Sequence, residues 1–217
     1  MKKFLFLILL IAVGVFFGSP FYSLYQLKAA YDNQDGQVIA DAIDYSQLTD
    51  NLKNQLNTNF QNTVDEYPMI AQFGGDKVLA KGQKFIEQAV EGAITPQNIA
   101  ATISSQGQQA NQSTKELAAI WAVVGGKINM GELVQGILLR GGNIEKALTK
   151  QMTKLVEAQS QEVAMQAQTG NDSDLPSFSY CGINCFNVSG DVKGYPLTVQ
   201  MQRQGLIDWK IIDIKLP

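Results

Sequence analysis

The strictest constraint on this chain lies in its last stretch, Phe186 to Pro217. Leu197, Val199 and Met201 alternate with Thr198, Gln200 and Gln202, the period-2 signature of a strand with one buried face. Phe186 and Val188 alternate in the same way with Asn187 and Ser189, and Asp191 to Gly194 supplies turn residues between the two runs. Gln204-Gly205 then breaks the pattern and reads as a tight hairpin turn. Beyond it the parity switches, with Ile207, Trp209 and Ile211 in one phase and Ile212, Ile214 and Leu216 in the other. Such a switch within one run requires a bulge, or a strand buried on both faces. A chain that ends this way closes on an antiparallel β-meander, with Trp209 as the core anchor of the sheet.

The residues before it repeat at helical spacing. Leu24, Leu27 and Tyr31 open the body and stop at Asp35-Gly36, where glycine suits a left-handed cap. Val38, Ile39 and Ala42 make a short second helix. Asp44 and Gln47 have the spacing of a capping box, and Leu48, Leu52, Leu56 and Phe60 recur every fourth residue behind it. Gly74-Gly75 breaks the chain, Asp76 can cap, and Val78, Leu79, Phe85, Ile86 and Val90 form the next apolar set. Thr95-Pro96 is a helix start, with Thr as cap and Pro in the first turn. A polar linker, Gln106 to Ser113, precedes two more capping-box spacings, Ser113–Glu116 and Asn129–Glu132. Gly125-Gly126 and Gly141-Gly142 separate those helices, and a longer one is expected from Asn143 to about Ala167. Helices first and strands last make the chain α+β. The expected organisation is a signal anchor or signal peptide over 1–25 and one domain over 26–217, helical to 168, linked through 169–176 and β-meander from 177.

The amino terminus narrows the compartment. Lys2 and Lys3 precede an uncharged apolar run from Phe4 to Phe17. If the helix runs on to Tyr25 it holds 22 residues and spans roughly 33 Å at about 1.5 Å per residue, enough for a bilayer. Phe21, Tyr22 and Tyr25 would then form an aromatic belt at the far interface. A cleaved signal peptide needs small residues at −3 and −1, and only Ala12-Val13-Gly14 offers them well. The expectation is an uncleaved single-pass anchor in a bacterial inner membrane, with the body in the periplasm. The alternative is a soluble periplasmic protein after signal cleavage.

Charge and composition exclude several classes of function. The net charge is −3, and without Lys2 and Lys3 the remainder carries 15 basic against 20 acidic side chains. No basic run appears, so neither nucleic acid nor an anionic membrane surface would be bound by a charged face. The chain has no histidine, which removes His-assisted nucleophiles, His metal ligands and the usual general base near neutral pH. No catalytic, cofactor or metal site is expected. Cys181 and Cys185 are the only cysteines and flank Gly182-Ile183-Asn184. In an oxidising compartment an even count favours a disulfide, here a staple across a short hairpin turn.

Weaker candidates have ordinary readings beside them. Asp208 and Asp213, five apart, read as solvated residues of the last strand rather than an acid/base pair. Tyr22, Tyr25, Tyr31 and Tyr45 could line a ligand site, but interface anchoring and core packing explain them more simply.

Four blocks of the chain carry a resemblance. Ser19 to Leu27, Asp35 to Leu56 with Ile43-Asp44-Tyr45, Ile94 to Ile99, and Gln202 to Pro217 are similar to the DUF2939 family. That family is a group of bacterial proteins of unknown function with an amino-terminal signal or anchor. The resemblance implies the compartment and architecture, and transfers no catalytic residue. Helices followed by a bent meander are also similar to NTF2-like and cystatin-like arrangements, whose sheets can enclose an apolar pocket. The expected function is therefore a non-catalytic envelope module that binds a partner protein or an apolar ligand, or serves in envelope assembly. The alternative is an NTF2-like enzyme using carboxylates and tyrosines in a sheet-lined pocket.

Overall fold

The computed structural model describes residues 2–66, 75–105, 107–108, 110–124, 176–192 and 195–215. Among them six helices, α1 (Lys2–Asp32), α2 (Gly36–Asp41), α3 (Tyr45–Asp65), α4 (Gly75–Ala93), α5 (Pro96–Ser104) and α6 (Gln112–Val124), precede four strands. The strands are β1 (Ser177–Gly182), β2 (Cys185–Val192), β3 (Tyr195–Arg203) and β4 (Trp209–Lys215), paired antiparallel in the order β1-β2-β3-β4. The α+β class and the closing meander are as the sequence indicates. The expected helix over Asn143–Ala167, the Asn129–Glu132 box, the glycine pairs at 125–126 and 141–142, and the linker before Pro176 lie outside the described residues.

Register confirms which side chains share a face. Tyr180 pairs with Phe186, Phe186 with Met201, and Met201 with Ile211, so the apolar phase of each strand lies on one side. The parity switch in β4 is a bulge. Gln200 pairs with Asp213 and Met201 with Ile211, which leaves Ile212 as the extra residue. The tight turn expected at Gln204-Gly205 is instead a five-residue loop, because the last pair is Arg203↔Trp209. The loop wraps the Arg203 guanidinium, whose Nη1 donates to the Leu206 carbonyl at 2.6 Å, and it closes with Gln204 N–H on the Asp208 carbonyl at 2.9 Å.

Among the described residues two apolar clusters form the core. In one, the stripe Leu48, Leu52 and Leu56 of α3 packs against Ile86, Ala89, Val90 and Ala93 of α4 and Leu117 and Ile120 of α6. Each buried leucine of that stripe contributes roughly 1.5–3 kcal/mol relative to exposure. In the other, Phe186, Met201 and Trp209 are covered by Leu24 and Leu27 of α1. The segment from Ala42 to Gln55 lies along the outer edge of β4. Ile211 exchanges backbone hydrogen bonds with Ala42 and Asp44, while Asn51 and Gln55 donate to the carbonyls of Ile212 and Ile214. An edge strand is thus paired off rather than left open.

Helix starts follow the expected chemistry with three corrections. Asp44 caps α3 by accepting from Gln47 N–H, and Thr95 caps α5 by accepting from Asn98 N–H. The left-handed residue after α1 is Gln34, φ 58°, and not Gly36. Gly36 begins α2, where a Cβ would stand 2.1 Å from the Ala100 carbonyl oxygen, so close approach of α5 is what requires glycine. The cap of α6 is Asn111, two residues before the expected Ser113, and its Oδ1 accepts from Thr114 N–H at 2.7 Å. Asp76 lies within the first turn of α4 rather than at its cap, where a carboxylate still favours the helix end.

Candidate functional site: the junction of helix α1 with the sheet

Helix α1 runs unbroken from Lys2 through Tyr25 to Asp32, with Pro20 inside it. Proline has no N–H, so the carbonyl of Phe16, four residues earlier, loses its helical donor. Two side chains replace that donor. Ser19 Oγ donates to the Phe16 carbonyl at 2.8 Å, and Arg203 Nη2 donates to it at 3.0 Å.

Around this point the sequence places an aromatic and polar knot. Ser19 Oγ also accepts from Arg203 Nη1 at 3.1 Å and from Trp209 Nε1 at 2.9 Å, so its one donor and two acceptors are all used. The Arg203 guanidinium lies 3.6 Å from the Phe16 ring centroid and 4.4 Å from that of Trp209. Arg203 is buried, forms no ion pair among the described residues, and its guanidinium is pulled below its ordinary value by that burial. At the next residue Tyr180 Oη donates to the Phe17 carbonyl at 2.5 Å, and one turn further along Phe21 packs edge-on against Phe178 and Phe186. The helix is therefore built into the apolar face of the sheet from Phe16 onward.

Over residues 10–15, the described side chains before Phe16, the helix has no such support. Residues 10 to 15 are all exposed, including Leu10, Ile11, Val13 and Val15. The stretch Leu10–Asp32 is long and apolar enough to cross a membrane, which is weak evidence for an anchor or a signal sequence.

The candidates read from the sequence fall in separate places. Tyr22 and Tyr25 are exposed on α1. Phe21 of the expected aromatic belt faces the sheet, as described above. Tyr31 lines an open cleft of about 510 Å³ with Asp32, Gln34 and Thr102. Tyr45 donates to the Ala40 carbonyl, and burial, with Asp41 nearby, pushes its phenol up to about 12. The two aspartates are corrected. Asp208 lies in the loop before β4 and is exposed, whereas Asp213 is buried rather than solvated, its Oδ1 accepting from Gln55 Nε2 at 2.7 Å. The bulge at Ile212 and the approach of α3 cause that burial, which raises the Asp213 carboxyl above its ordinary value. Cys181 and Cys185 stand at disulfide distance across the β1–β2 turn, with Cα atoms 5.0 Å apart.

Sequence reasoning missed Arg203 and Ser19, although two signals pointed to them. Position 203 continues the buried phase of Leu197, Val199 and Met201, and a proline inside a helix announces an unpaired carbonyl four residues back. Among the described residues no group of three or more acidic or cysteine side chains could hold a metal ion.

No curated protein and no solved structure matches the chain. Its helical part, residues 9–102 from within α1 to within α5, matches the family model described as "Protein of unknown function (DUF2939)", the family that the sequence blocks resemble, and the sheet with Arg203 lies beyond that match.

Proposed function

We propose that this chain is a membrane-tethered, non-catalytic binding or assembly module of the bacterial envelope, with α1 as an uncleaved anchor and the folded body in the periplasm. One observation carries the reading: α1 is a continuous apolar helix, bare over residues 10–15 and then built into the sheet through Arg203, Ser19 and Tyr180. Lysines at the start of the helix favour a cytoplasmic amino terminus. A division near residue 25 then marks a change of surroundings along one helix. Cys181 and Cys185, bonded in an oxidising compartment, fit a body outside the cytoplasm.

The enzyme alternative finds less support. The apolar face of the sheet is filled by Phe186, Met201 and Trp209 under α1, so the described residues leave no deep pocket there. The buried carboxylate, Asp213, is engaged by Gln55 in a contact between α3 and β4. A partner or apolar ligand would therefore meet the outer surface of the body.

The test is fractionation of the untagged chain from its bacterial host, with alkaline extraction, intact mass and protease protection of spheroplasts. Expected are full mass, retention in the extracted membrane, and digestion of the body from the periplasmic side. A soluble protein shortened after Gly14 would reject the tether, and a body protected in spheroplasts would reject the orientation.

A further inference from the structure

The end of the sheet from which α1 departs carries apolar side chains on both of its loops. In an antiparallel meander the β1–β2 turn and the β3–β4 loop lie at the same end, and Arg203 N–H joins them by donating to the Asn184 carbonyl at 3.0 Å. Ile183 in the first loop is 68 % exposed and Leu206 in the second is 78 % exposed, with Ile207 beside it. Turn positions ordinarily take Gly, Asn, Asp or Ser, so apolar tips on both loops call for an explanation. Both tips are held in place. Cys181 and Cys185 span the Ile183 turn, and Arg203 holds the Leu206 carbonyl while its other nitrogen holds that of Phe16.

The direction of α1 fixes what faces this end. Phe17 meets Tyr180, close to the turn, while Phe21 meets Phe178, further along the strand. Going back from Phe17 toward Lys2 the helix therefore passes the two loops and runs on beyond them. The part beyond is short: Phe4 to Val15 extends ~18 Å at about 1.5 Å per residue, against a hydrocarbon core of about 30 Å. About 20 residues are needed to span, so the span must continue alongside the sheet to about Ser23. Whatever surrounds Phe16 to Ser23 also surrounds the loops packed beside them.

We infer that the Ile183 turn and the Leu206–Ile207 loop seat the body on the membrane surface, inserting beside the α1 stem into the interfacial layer of the bilayer that α1 spans. This rests on the tether proposed above. Asp208 is the exposed ionisable side chain of the two loops and stands at the base of the second, so the tips enter the acyl boundary while the base of that loop stays at the headgroups. Tyr180 and Trp209, aromatic residues with a polar handle, stand beside the same stem, as residues of a membrane interface do. The seat gives the body one orientation on the membrane, with the β2–β3 end and α3 directed away from it.

The test is photolabelling of the full-length protein in nanodiscs of phosphatidylethanolamine and phosphatidylglycerol carrying an acyl-chain diazirine, mapped by peptide mass spectrometry. Insertion of ~5–10 Å brings the tips against acyl chains, so labelling of Ile183, Leu206 and Ile207 is expected within about threefold of that on residues 10–15. Pro196, at the opposite end of the sheet, is expected to stay unlabelled. Labelling of residues 10–15 without the two loops would overturn the seat and leave the tether standing. Absence of label on residues 10–15 would overturn the tether and the seat together.

Discussion

Replacing Arg203 with methionine tests whether the stem junction exists to satisfy the carbonyl that Pro20 exposes. The substitution keeps an apolar stem and deletes the hydrogen bonds to Phe16, Leu206 and Ser19. Each bond from a charged donor contributes about 1.5–3 kcal/mol, so the two to backbone carbonyls dominate the loss. Against that, a buried cation without a carboxylate partner carries a desolvation cost of several kcal/mol, which methionine removes. The net expectation is about 1–3 kcal/mol of destabilisation. Pro20→Ala restores an N–H at residue 20 and with it the helical donor to Phe16. In that background Arg203→Met no longer strips a helix carbonyl of its second partner, and its cost should fall by about 1–2 kcal/mol. The assay is denaturant unfolding of the detergent-solubilised full chain, followed by near-UV circular dichroism of Trp209 and its neighbours, on all four members of the cycle. Any volume change at Pro20 cancels in the cycle. Additivity within about 0.5 kcal/mol would refute the coupling and leave Arg203 serving the Leu206 carbonyl and Ser19 independently of Pro20.

Three further outcomes follow from the same contacts. Burial holds the Asp213 carboxyl above its ordinary value, so the folded state binds its proton more tightly than the unfolded chain. Asp213 then weakens the fold as pH rises from about 4 through its folded pKa, and Asp213→Asn should raise the melting temperature at pH 7 with a gain that shrinks toward pH 4; a lower melting temperature at pH 7 would contradict this. Gly36→Ala should destabilise by about 1–3 kcal/mol because its Cβ meets the Ala100 carbonyl, whereas a freely accessible helix position would gain roughly 0.5–1 kcal/mol, and thermal unfolding separates the two signs. Non-reducing mass spectrometry of the periplasmically exposed protein should show Cys181 and Cys185 linked, with reduction costing about 2 kcal/mol or less for so short a loop, and two alkylatable thiols would exclude the staple.

The sequence by itself determined the elements whose cause is local. The stripe Leu48, Leu52 and Leu56, the Asp44 and Thr95 caps and the alternation of Leu197 to Met201 each rest on contacts within a few residues or on a simple period, and each is where the spacing puts it. The parity switch marked where β4 changes phase, because a one-residue shift reverses every side chain after it, and the register then chose the bulge over a strand buried on both faces. Tertiary structure alone decided the rest. Gly36 gave no local sign that α5 would press on it, Asp213 looked like any solvent-facing strand residue until α3 covered it, and Arg203 lies 187 positions from the carbonyl it serves. Pro20 told where a donor would be missing but not which side chain would supply it. The physical reason is that a missing hydrogen bond is a property of one segment, whereas its replacement depends on which distant groups the packing of α1 on the sheet brings within about 3 Å.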